Sequence, residues 1–214
     1  MVDGRAHLTG TARRRLLVAT GSQHKLAELT ALLDLPNTDL VSLADVGLTD
    51  DVEETGATFE DNARLKARHY AAASGLPTLA DDSGIEVDAL GGRPGVKTRR
   101  YSGANATDEK NNHKLLGEMY GFYGPDERTA RYQCVLVLVE DGAITEVTRA
   151  TFEGRVAFAP RGKGGFGYDP IFEPLTEKPG GRTVGQLTPE EKNRVSHRAQ
   201  AARAMRERLI TRGY

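Results

Sequence analysis

Residues 129–158 constrain the architecture more than any other stretch of the chain. Arg131, Gln133, Val135 and Val137 alternate with Tyr132, Cys134, Leu136 and Leu138, the period of two that marks a strand. Asp141-Gly142 follows, a dipeptide suited to two-residue turns with positive φ at both centres, so the strands on either side should pair antiparallel. Elsewhere short apolar strands alternate with helices. Residues 16–19 read as a strand, and Leu26, Leu29, Leu32 and Leu33 follow at near-helical spacing, with Pro36 beyond their end. Thr58 caps a second helix that carries Asp61 in its first turn and stops at Gly75 and Pro77, and a short helix covers about residues 107–119. Thr188-Pro189-Glu190-Glu191 is a capped helix start. Ser196 begins another helix, which puts His197 and Arg198 at a kink, and Ala199, Ala202, Met205 and Leu209 complete it. Helix–strand alternation broken by a hairpin predicts an α/β fold with a long mixed sheet flanked by helices.

Charge and cysteine usage exclude several functions. The chain has 29 Lys+Arg against 30 Asp+Glu, so no global basic field favours duplex nucleic acid. The single cysteine, Cys134, lies in an apolar run and reads as a buried thiol of a reducing compartment. No apolar stretch approaches the roughly 18 residues of a membrane span. Residues 1–14 are polar with no apolar segment behind them, which predicts a flexible leader before one domain over 15–214. A soluble cytoplasmic protein is the expectation.

Four segments carry possible chemistry. Thr78-Leu79-Ala80 reads as a buried strand tip that delivers Asp81 and Asp82 to a turn at Gly84. Such a pair is either a surface turn or a set of hard oxygen ligands for Mg²⁺ beside a phosphate. Glu53-Glu54-Thr55-Gly56 is a second acidic turn, able to offer another carboxylate or simply to favour the helix that follows. Thr20-Gly21-Ser22-Gln23-His24-Lys25 joins a strand to a helix; its N–H groups and lysine suit phosphate, although an ordinary turn has the same form and no Walker A pattern is present. Gly164-Gly165-Phe166-Gly167-Tyr168-Asp169 sets two aromatic residues among glycines, either to stack on a base or to plug a tight turn into the core. As single residues, His7, His24, His69 and His113 read as surface or structural histidines, and no spacing suggests zinc.

Taken in order from Leu16 to Leu209, these segments closely resemble the inosine triphosphate pyrophosphatase family. The carriers are residues 18–25, 53–59, 62–66, 80–84, 90–95 and 164–172, with Glu191-Lys192 and Ser196-His197-Arg198. The resemblance implies two lobes with a central cleft, a homodimer, and Mg²⁺-dependent hydrolysis of ITP, dITP and XTP to the monophosphate and pyrophosphate. It implies Asp82 as the catalytic acid–base residue and a metal ligand, with Glu53 as the other ligand. Thr20, Gly21, Ser22, Gln23, His24, Lys25, Lys66 and Ser83 would hold the triphosphate. Phe166, Gly167, Tyr168, Asp169, Lys192, His197 and Arg198 would line the nucleotide and base pocket. Two positions depart from the family pattern: Ser22, where asparagine is usual, and Arg99, where a small residue is common. A related pyrophosphatase for pyrimidine or other modified triphosphates, and a silent nucleotide sensor, are the competing readings.

Overall fold

The computed structural model describes residues 13–214. The expected leader up to residue 12, with His7, lies outside them, and Arg14 already belongs to the first strand. The strands are β1 (Arg14–Ala19), β2 (Thr38–Ser42), β3 (Thr78–Val87), β4 (Thr129–Glu140), β5 (Ala143–Val156) and β6 (Phe172–Pro174). They form one sheet in the order β2-β1-β3-β4-β5-β6. β1 runs parallel to β2 and β3, whereas β3, β4, β5 and β6 pair antiparallel in succession. The helices are α1 (Gln23–Leu33), α2 (Phe59–Ser74), α3 (Asp108–Glu118), α4 (Pro189–Val195) and α5 (His197–Thr211). The sheet turns from parallel to antiparallel at β3, and within its antiparallel part the β4–β5 hairpin turns at Asp141 and Gly142, with φ of 49° and 77°.

Strand parity distributes the core. Leu79, Leu136 and Leu138 face α1 and α5, packing with Leu29, Leu33, Ala202 and Met205. Ala80, Val135 and Val137 face the other way, onto Phe59, Ala63 and Ala67 of α2. A third cluster gathers at the far end of the long strands, from Ile85, Val87, Leu115, Tyr132, Ile171 and Phe172. β3 and β4 pass through all of these, so the stretch between Ala80 and Ile85 lies between the near and far cores.

The structure corrects the expectation for that stretch. β3 does not end at Ala80: it continues through Asp81, Asp82, Ser83 and Gly84, each paired with β4 between Leu136 and Gln133. β1 is what stops, its last pair being Ala19 with Ala80. The acids therefore sit on a strand edge that has lost its parallel neighbour. Thr98 covers the edge further on, where its Oγ1 accepts the Ile85 N–H at 3.0 Å. Gly84 makes no turn; an added Cβ would lie 2.3 Å from Thr98 Oγ1, 2.8 Å from Phe59 Cε1 and 2.9 Å from the Gly95 carbonyl. Gly84→Ala should cost about 3 kcal/mol through overpacking, or roughly 6–12 °C in Tm for a chain of this size. An unchanged melting curve would show that the segment 95–98 can retreat freely.

Candidate active site

Alternation along β3 sends the two adjacent carboxylates to opposite faces. Asp81 shares the face of Leu79 and meets Lys25 Nζ at 2.9 Å and an Arg198 amino group at 3.8 Å. It is 1% exposed. Burial alone would raise its carboxyl, but Lys25, Arg198 and Lys66 outweigh that and hold it far below the usual range. Asp82 shares the face of Ala80 and points toward α2. Asn62 Nδ2 donates to its Oδ2 at 3.1 Å, and Lys66 Nζ stands 3.4 Å from Oδ1. Burial pushes its carboxyl above the ordinary value, Glu54 and Asp81 add to this, and Lys66 and Lys25 only partly offset them. One acid is thus a fixed counter-charge, and the other is a carboxylate short of positive charge.

α1 begins directly after β1. Ser22 is its N-cap, accepting the Lys25 N–H, so the serine that replaces the family's asparagine serves the helix start. The capping box of Thr58 and Asp61 orients α2, and Lys66 follows two turns later. Its ammonium binds Glu54 at 2.7 Å and stays protonated: burial would lower its affinity for the proton, but Asp82, Asp81 and Glu54 prevail. Ser196 both ends α4 and caps α5, so the chain bends with ψ of 155° and delivers buried His197 and Arg198 inward. Arg198 donates to Ser83 Oγ at 2.9 Å.

Sequence reading missed Glu28. On α1, three residues after Lys25, it has the look of a solvated surface acid. It pairs instead with Lys192 at 2.8 Å and with Arg198, and Lys192 also binds Asp169 at 2.7 Å. Burial would raise the Glu28 carboxyl, but Arg198 and Lys192 keep it below its usual value. An ionic chain therefore runs from Lys25 through Asp81, Arg198, Glu28 and Lys192 to Asp169. Its members come from α1, β3, α4, α5 and the aromatic loop, segments far apart in the chain, which is why no local signal exposes it.

Asp82, Lys25, Lys66, Lys192 and Arg198 border a cavity of about 530 Å³. It is bordered by residues 19–25 at one side, by Lys66, Asp82 and Ser83 below, and by residues 166–169 with Lys192, His197 and Arg198 opposite. Glu53 is not among them. Its side chain is exposed and borders an adjoining cavity of about 850 Å³, shared with Asp51, Arg99, Arg100 and Asp108. Glu54 borders both spaces and is held by Lys66 and Arg100. Arg99, the other departure from the family pattern, is exposed and borders both.

The aromatic loop divides in two. Phe166 offers a ring to the cavity, with the His24 imidazole stacked on it at 5.1 Å between centroids and 14° between planes. Lys192 Nζ lies over the same ring at 4.4 Å. His24 is exposed and forms part of the wall, within the loop that the family resemblance assigns to the triphosphate. Tyr168 is 2% exposed and donates its hydroxyl to the Thr98 carbonyl at 2.9 Å, so it anchors the loop rather than presenting a free face. His197 stacks on Tyr132 at 4.6 Å, and burial, Arg198 and Lys192 hold it neutral at physiological pH. Its Nδ1 is buried without a hydrogen-bond partner among the described residues.

No group of three or more His, Cys, Asp or Glu side chains forms a metal cage among the described residues. The donors fit a different arrangement. Mg²⁺ favours hard oxygens and commonly takes one or two carboxylates, completing its shell with water and substrate phosphate. Asp82 and the 53–54 turn supply that kind of oxygen at the cleft edge.

Edge-borne carboxylates, a cationic helix-start loop and an aromatic wall around one cavity define an α/β protein with a cleft for an anionic, ring-bearing ligand. The model of the Ham1 family matches residues 16–208, and the chain belongs to that family. It is 46% identical over 198 residues to the dITP/XTP pyrophosphatase of Shigella flexneri, covering 92% of this chain and 98% of that one. It is 48% identical over 200 residues to the dITP/XTP pyrophosphatase of Geobacter sulfurreducens, covering 93% and 98%. Among solved structures, a HAM1 protein from Coxiella burnetii superposes with a TM-score of 0.82 at 41% identity, covering 92% of this chain and 99% of that one.

Proposed function

We propose that the chain hydrolyses ITP, dITP and XTP to the nucleoside monophosphate and pyrophosphate, acting through residues 15–214 as one catalytic unit. The observation that carries this reading is the placement of Asp82. It lies on an open strand edge, in one cavity with the lysines of α1 and α2 and with the Phe166 ring. The triphosphate would run along residues 20–25, where Lys25, Lys66 and the N–H groups of the α1 start offset its charge. Asp82 orients a water for in-line attack on the α-phosphorus and takes its proton. The new P–O bond forms as the bond to the pyrophosphate oxygen breaks. The leaving group departs beside the same lysines.

Mg²⁺, held by Asp82 and a carboxylate of the 53–54 turn, would neutralise phosphate charge and polarise the phosphoryl group. Glu54 is engaged by Lys66 and Arg100, whereas Glu53 makes no ion pair among the described residues and so is the freer donor. We further infer a homodimer working in the cytoplasm.

Base selection is a hydrogen-bond question. A 6-oxo group accepts hydrogen bonds, which suits Arg198 and backbone N–H groups; the 6-amino group of adenine would set donor against donor. A site built this way should prefer ITP to ATP by on the order of a hundredfold or more in kcat/KM. Pyrophosphate release measured with Mg²⁺ on ITP, XTP, dITP, GTP, ATP and a pyrimidine triphosphate tests it. Comparable rates on ITP and ATP would remove the assignment.

A further inference from the structure

Helix α3 grips the aromatic loop at a point that the chemistry itself does not touch. Asp108, the first residue of α3, accepts the Gly167 N–H on Oδ2 at 2.6 Å. One turn later Asn112 donates from Nδ2 to the Gly167 carbonyl at 3.0 Å. Residues four apart share a helix face, so both polar groups of one backbone residue end on one face of α3. Gly167 has φ of +63°, a left-handed conformation outside any sheet ladder. Without these two side chains its N–H and carbonyl would have to find water.

The next residue back is Phe166. Its own N–H is accepted by Asp169 Oδ2 at 2.9 Å, from the buried side of the loop. The backbone that carries the Phe166 ring is therefore held by Asp169 at Phe166 itself and by α3 at the next residue. The helix is a firm base for that purpose. Leu115 and Met119 anchor it in the far core. Asn111 accepts the Ser102 N–H and hydroxyl at 2.8 Å and 2.7 Å and donates to the Arg99 carbonyl at 3.0 Å.

We propose that Asp108 and Asn112 are positioning residues for the nucleotide: holding Gly167 by both its N–H and its carbonyl, they set the plane of the Phe166 ring on which the base stacks. The proposal rests on the assignment of Phe166 to the base. Asn112 is buried against the loop, and Asp108, at the exposed start of α3, commits its Oδ2 to the Gly167 N–H. Their contribution is to spare the ligand the ordering of a loose loop. Losing it should weaken substrate binding and leave the chemical step nearly untouched.

Steady-state kinetics on ITP with Asp108→Ala, Asp108→Asn, Asn112→Ala, Phe166→Ala and the Asp108→Ala/Phe166→Ala double variant test the proposal, with melting curves to confirm folding. Asp108→Ala and Asn112→Ala should each raise KM by about tenfold and keep kcat within about twofold. Asp108→Asn retains an acceptor oxygen and should recover most of the loss. With Phe166 already truncated, Asp108→Ala should add less than about twofold, because the ring it positions is gone. Full additivity, a loss in kcat rather than KM, or an unchanged KM in folded Asp108→Ala protein would overturn the proposal. If Phe166→Ala raises KM but neither α3 variant does, the base assignment stands and the positioning role falls. If Phe166→Ala leaves KM unchanged, the base assignment fails and takes the proposal with it.

Discussion

Asp82→Asn is expected to lower turnover on ITP by about 10³–10⁴-fold, the scale of losing a general base and a charged ligand together. The fold should survive, because the asparagine keeps an oxygen for Asn62 and leaves Lys66 its bond to Glu54. Stability should even rise slightly. A carboxyl that burial holds above its ordinary range is more costly to ionise in the folded chain than in the unfolded one. Removing that ionisation relieves a cost, in keeping with active sites that give up stability for reactivity. Turnover measured by pyrophosphate release, set beside thermal melts of both proteins, decides the matter. A folded variant with near-normal turnover would end the catalytic assignment.

Asp81→Ala should behave in the opposite way. It leaves Lys25 and Arg198 in a buried site without their shared counter-charge, and breaking such a cluster costs about 3–5 kcal/mol. The loss should appear as a drop in Tm of roughly 6–20 °C, with turnover falling only because the cleft itself is disturbed. The pH dependence has a definite sign. Lys25 and Arg198 hold the folded-state value of Asp81 below its unfolded one, so its stabilisation is complete above about pH 4 and is lost as pH falls below that. The stability gap between wild type and variant, read from denaturant melts, should narrow from pH 7 to pH 3. A gap that is small at pH 7, or that widens in acid, would contradict the pairing.

Local signals in the sequence carry what local chemistry decides. The hairpin at Asp141-Gly142, the caps at Thr58 and Thr188 and the break at Ser196 each depend on a few neighbouring residues, and all four stand in the structure where the sequence puts them. The continuation of β3 was not legible, since Asp-Asp-Ser-Gly has poor strand propensity. Ten consecutive pairs with β4 override that preference. Gly84 read as a turn residue because its other use, admitting Thr98 and Phe59 to close contact, depends on segments distant in sequence. Glu28 was hidden for the same reason: its partner Arg198 lies 170 positions away. Glu53 was singled out over Glu54 by the family resemblance alone, because an irregular turn has no periodicity to say which carboxylate points inward. The aromatic loop was visible as unusual, but only the Tyr168 hydroxyl bond to Thr98 separates the anchor from the open face.

The pairing of β3 with β4 also protects a distinction that composition cannot make. Asp81 and Asp82 are chemically identical neighbours, and what separates a permanent counter-ion from a reactive acid is only which side of the sheet each one occupies. A slip of one residue would exchange them, turning the reactive position toward Lys25 and Arg198 and the silent one toward Asn62 and Lys66. The irregularity in the β4–β5 ladder falls at Leu138 and Val139, clear of the residues that pair with the two acids. Register therefore assigns separate duties to two copies of one side chain, and because the same slip would turn Leu79, Ile85 and Val87 out of their cores, the packing that holds the fold also keeps the two acids apart.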